Sequence, residues 1–129
     1  MPEQANSVTR DREQERAAFA WKKAMAHSQD KEYANLAKSA PALIMNNGLM
    51  QTLAFYESKG KPHHKALSEH ICAWLAEQGF SKDKKKEFRD VMEGLHGKES
   101  SSVKYRRATE ETLALLRWIR QFASALVKD

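Results

Sequence analysis

Apolar residues recur every three to four positions in six stretches of the chain, the spacing of one face of a helix rather than of a strand. The first stretch predicts a helix from about Thr9 to His27. Asp11 and Glu13 lie in its first turn, where acids complement the helix dipole, and Ala17, Ala18, Trp21, Ala24 and Met25 form its apolar stripe. A shorter second helix is expected over Lys31 to Lys38. Pro41 then opens a third, since a first turn does not need the missing N–H, and Ser39 stands nearby as a cap. From Leu43 to Tyr56 there is no charge, and Ile44, Leu49, Met50, Leu53 and Phe55 point all around the axis. A helix of that kind is buried on most sides. Asn46-Asn47-Gly48 is a turn signal, but its flanks are helical, so Gly48 is expected inside the helix, where a neighbouring backbone approaches closely.

Lys59-Gly60-Lys61-Pro62 breaks the pattern. A fourth helix is expected from about His63 to Gln78, burying Leu67, Ile71, Trp74 and Leu75, with Gly79 as its stop. Ser81 caps a fifth, whose apolar face is Phe88, Val91, Met92 and Leu95. After a polar loop from Gly97 to Ser102, the last helix, about Val103 to Val127, carries the stripe Ala108, Thr112, Leu115, Ile119, Phe122 and Leu126. The expected fold is an all-α, single-domain bundle of about six helices around a central apolar helix (about 41–58), with residues 1–8 as a flexible tail.

Composition agrees with this picture. Of 129 residues, 41% are apolar and 30% charged, and five Gly with three Pro are too few for a turn-rich β architecture. The single cysteine, Cys72, cannot form an internal disulfide, which points to a reducing, cytoplasmic setting. The first residues lack the basic start and apolar stretch of a signal peptide, and the apolar run Pro41 to Tyr56 is shorter than a membrane span. The net charge of +5 is unevenly placed. From Met1 to Asp30 five basic residues face five acids, whereas from His96 to Asp129 seven face four. Such an excess suits an anionic partner, nucleic acid above all, or simply a solvated surface.

Enzymatic chemistry finds little support. His63 and His64 are adjacent and diverge by about 100° on a helix, and His63 with His70 lacks a carboxylate to complete a metal site. Cys72, between Ile71 and Ala73, reads as a buried inert thiol. No nucleophile elbow or phosphate-cradling glycine loop is present, and Glu110-Glu111 reads as a solvent-exposed pair matched with arginine. No catalytic residue, metal or cofactor is therefore expected.

Two basic clusters remain. Lys82, Lys84, Lys85, Lys86 and Arg89 gather at the expected start of the fifth helix, where the positive helix end opposes them. Asp83, Glu87 and Asp90 balance them if the face is merely solvated. The second cluster, Tyr105-Arg106-Arg107, continues to Arg117 and Arg120 with Trp118 between. Arginine beside Tyr and Trp holds phosphates while bases stack, although Trp118 also fits a core position.

The run from Leu36 through Tyr56, centred on Pro41-Ala42-Leu43-Ile44-Met45-Asn46-Asn47-Gly48-Leu49-Met50, closely resembles the small α-helical subunit of the type III-B CRISPR effector, the Cmr complex. The stretch from Tyr105 through Ala123 is similar to the same family, and the size and order of elements agree. The resemblance implies a non-catalytic subunit that stacks with copies of itself along the inner side of an RNA-guided complex. There it would lie against larger subunits and help hold target RNA on the guide, with specificity left to base pairing. On that reading Arg106, Arg107, Arg117 and Arg120 face the guide–target RNA duplex, joined by Lys84 and Lys85; no membrane or small-molecule partner is implied. A free-standing helical adaptor or nucleic-acid-binding regulator shares the composition, and a small metal-dependent hydrolase would have to use His63, His64 or His70.

Overall fold

The computed structural model describes residues 9–127, so the expected tail over residues 1–8 lies outside the described residues. Among the described residues six α-helices follow in order: α1 (Arg12–Ala26), α2 (Lys31–Asn47), α3 (Leu49–Lys59), α4 (Pro62–Glu77), α5 (Phe88–His96) and α6 (Ser102–Leu126). A short 3₁₀ turn, Lys82–Lys84, precedes α5, and no strand occurs among the described residues. The fold is the expected all-α bundle in one domain. Among these helices none is long and apolar enough to cross a membrane.

The long α6 packs along α1 and α2, and α4 fills the space among α2, α3 and α5. Ala108, Thr112, Leu115 and Ile119 of α6 are fully buried, as are Leu67, Ile71 and Leu75 of α4, with Trp74 nearly so; these belong to the expected stripes, of which Phe122 and Leu126 are only partly buried. They meet Tyr33, Ala37, Ala40 and Ile44 of α2 and Leu49, Leu53 and Tyr56 of α3 in one core. Burial of each large apolar side chain stabilises the fold by about 1.5–3 kcal/mol before ordering entropy is counted.

Four local expectations are corrected. The helix expected to begin at Pro41 begins at Lys31, capped by Asp30, whose carboxylate accepts the Tyr33 N–H at 3.0 Å. Pro41 lies inside α2, and the Ser39 hydroxyl returns to the Leu36 carbonyl instead of capping. The apolar segment 41–58 is not one helix: Gly48, at φ 91° and ψ 159°, separates α2 from α3. That backbone region is essentially closed to side chains, so the Asn-Asn-Gly signal marked a true break.

The third correction concerns α1, which begins at Arg12 behind an Asp11 capping box completed by Gln14. Its buried face is Ala20 and Ala24, with Phe19 against the Trp74 ring at 4.9 Å. Trp21 and Met25 are 46% and 47% exposed, because the neighbouring helices meet α1 on the adjacent side.

The fourth lies before α5. The Ser81 hydroxyl caps nothing, and Lys82, Lys84, Lys85 and Lys86 precede the helix in the 3₁₀ turn and the extended residues after it. Of that cluster only Arg89 lies inside the first turn of α5. The glycine that admits a neighbouring backbone is Gly94 of α5. A Cβ there would meet the carbonyl oxygen of Phe80 and lie 2.6 Å from Ser81 Cα.

Candidate nucleic-acid interface

At about 100° per residue, Arg106, Arg117 and Arg120 fall within about 60° of one another around α6, opposite its buried stripe. All three are exposed, and none forms an ion pair with a described residue. They make a basic face about as long as the second half of the helix. Arg107 points about 100° away from Arg106, toward α1, and shares a groove there with Arg12, Arg16 and Lys104.

Glu111 anchors the floor of that groove. It is 6% exposed, contrary to the expected solvent-exposed pair, and its carboxylate is fully engaged. Arg16 donates Nε to Oε2 at 2.6 Å and Nη2 to Oε1 at 2.8 Å, a bidentate fork. Arg12 Nη1 donates to Oε1 at 3.2 Å and Trp74 Nε1 to Oε2 at 2.9 Å. The Arg16 hydrogen bonds hold the Glu111 carboxyl below the ordinary carboxylate range, and the Trp74 donor helps, against the opposite push of burial. The same pairing raises the guanidinium of Arg16.

Trp118, read either as a stacking residue or as core, is partly buried, and its indole N–H donates to Glu13 Oε1 at 2.8 Å. Glu13 in turn accepts from Arg16 at 2.6 Å. Tyr105 is also committed elsewhere: its hydroxyl accepts the Met50 N–H at 3.1 Å, so its ring is held against α3 and is no platform for a base. Lys84 and Lys85 are exposed on the loop that rests on α4 and α5, on different elements from the arginine face. Asp83 and Lys84 both take left-handed backbone, φ 55° and 58°, which fixes this corner sharply.

The other reactive side chains are absorbed by packing. His70 Nδ1 meets the Tyr33 hydroxyl at 2.7 Å and His63 points toward Glu32 at 3.9 Å. Burial pushes the Cys72 thiol up to about 12, which leaves it unreactive at neutral pH. Among the described residues no three His, Cys, Asp or Glu are grouped to hold a metal ion.

Sequence reasoning missed Arg12, Lys104 and Phe80 as groove residues. Their partners lie far along the chain, as with the Arg12–Glu111 pair, 99 positions apart. The one usable signal was Lys104 in the first turn of α6, a turn that carries no acid.

Among the described residues, six helices around one core, with a basic face along α6, define a small all-α helical protein. Residues 12–126 match the family model for the CRISPR-associated protein Cas_Cmr5. The chain is 35% identical over 98 residues to the CRISPR system Cmr subunit Cmr5 of Thermus thermophilus, covering 76% of this chain and 77% of that one. Its fold is similar to the crystal structure of a Cmr5 family protein from the same organism. The TM-score is 0.71 at 32% identity, covering 93% of this chain and all of the other. The chain belongs to the Cas_Cmr5 family.

Proposed function

We propose that this chain is the non-catalytic small subunit of a type III-B CRISPR effector complex that targets RNA through a guide. Copies stack into an inner filament against the larger subunits and help hold target RNA on the guide. The observation that carries the reading is family membership across residues 12–126, nearly the whole described chain. The exposed face of Arg106, Arg117 and Arg120 supports it, since cations without an ion-pair partner among the described residues suit a phosphate backbone read by shape and charge rather than by sequence.

Purification of the tagged chain from its native cells tests this. Recovery of a guide-length RNA with several larger proteins is expected, and recovery of the chain alone would overturn the reading. In the purified complex, alanine at Arg106, Arg117 and Arg120 together weakens target retention for every sequence and flattens its salt dependence. Unchanged retention by a folded variant would remove the arginine face from the interface.

A further inference from the structure

The groove between α1 and α6, about 480 Å³ in volume, is separate from the outer arginine face. Arg12, Arg16, Lys104 and Arg107 line it, against Glu110 and Glu111. Arg16 and Glu111 neutralise each other through the bidentate pair at the floor. What remains open is Arg107, Lys104 and most of Arg12, whose side chain is 56% exposed and touches Glu111 through one nitrogen only. One carboxylate, Glu110, stands against these three cations at the rim.

Two further features point to an anion. Lys104 sits in the first turn of α6, where the helix end is already positive and no acid offsets it, unlike α1 with Glu13 and Glu15. A bound phosphate relieves that local repulsion. Phe80 also lines the groove and is only partly buried, so an aromatic surface lies beside the cations. Aromatic surface next to a basic track is the arrangement that holds single-stranded nucleic acid without sequence preference.

We propose that this groove binds a phosphate of an RNA strand, with Arg12, Lys104 and Arg107 as its ligands and Phe80 as the surface for the adjoining base. Arg107 thereby serves a different site from Arg106, its neighbour in sequence. The assignment rests on the proposed contact between this chain and RNA, and adds a second track to it on the α1 side of α6.

The test is an NMR titration of the labelled full chain, at up to millimolar concentration, with a uridine hexanucleotide and separately with pyrophosphate. The hexanucleotide is expected to shift the Phe80 ring signals and the Nε–H signals of Arg12 and Arg107. The double variant Lys104→Ala, Arg107→Ala loses about tenfold in affinity or more, with its melting temperature retained. Its logarithmic salt slope falls by about 0.7, one phosphate's worth on a single strand. Groove shifts persist when Arg106, Arg117 and Arg120 are all alanine. Shifts confined to Arg106, Arg117 and Arg120 would overturn the groove while leaving the RNA contact standing. Absence of RNA-induced shifts anywhere would overturn both. Pyrophosphate binding as tightly as the hexanucleotide would make the groove a free-anion site and overturn strand recognition.

Discussion

The backbone N–H of Met50 donates to the hydroxyl of Tyr105 at 3.1 Å, across 55 positions of sequence. Met50 is the second residue of α3, where N–H groups have no partner within the helix, and the preceding Gly48 has no side chain to supply one. The cap of α3 is therefore delivered by α6. This commits the tyrosine beside Arg106 and Arg107 to holding the bundle together.

Tyr105→Phe keeps the ring and removes the acceptor. A loss of about 1 kcal/mol in urea unfolding is expected, with RNA affinity unchanged. A normal unfolding midpoint with weakened RNA binding would return Tyr105 to the interface.

Gly48→Ala forces a side chain into backbone at φ 91° and ψ 159°, where its Cβ also lies 3.4 Å from the Tyr105 hydroxyl. The expected cost is about 1–3 kcal/mol, read as a lowered melting temperature. An unaltered melting temperature would mean that the α2–α3 break relaxes freely.

At Gly94 the backbone is ordinary and the obstacle is space. A methyl group there collides with the backbone of Phe80 and Ser81, which cannot rotate away as a side chain could. Gly94→Ala should cost about 1–3 kcal/mol and increase amide exchange at Phe80 and Ser81. Exchange rates equal to those of the parent protein would contradict that packing.

Arg16→Ala leaves Glu111 buried with Arg12 and Trp74 as its remaining donors. The expected loss is about 3 kcal/mol, the low end for a broken buried pair, because Arg12 still partly compensates. The Glu111 carboxyl lies below its ordinary value of 4.5, so its contribution is present above that pH and is lost as pH falls through the lower folded value. Arg16→Ala should accordingly lessen the acid sensitivity of unfolding below about pH 4.5.

His70 gives a second acid sensitivity at higher pH. Burial, then His27 and Lys23, hold its ring down at about 3 from an ordinary 6.5, with the neutral Nδ1 facing the Tyr33 hydroxyl. The unfolded chain therefore binds the extra proton between those values, and stability declines as pH falls from 6.5. The slope from one such group is up to about 1.4 kcal/mol per pH unit. His64, shifted the same way by burial, adds to it. His70→Phe should flatten unfolding free energy between about pH 6.5 and pH 5; an unchanged slope would show that His70 protonates freely in the folded state.

The amino-acid sequence alone determined the helical class, the buried stripes of α4 and α6 and the family, because 3.6-residue periodicity and the run from Leu36 to Tyr56 are properties of neighbouring positions. It also placed Arg106, Arg117 and Arg120 on a helix, which fixes their common face once the helix is granted. Tertiary structure alone decided the rest. The cap of α3 depended on Tyr105 arriving from α6, and which face of α1 is inside depended on where α6 and Trp74 of α4 press against it. Glu111 became a buried anchor only when Arg16, 95 positions away, arrived beside it. Periodicity specifies that a face is apolar or charged; only the packed partner specifies what that face meets.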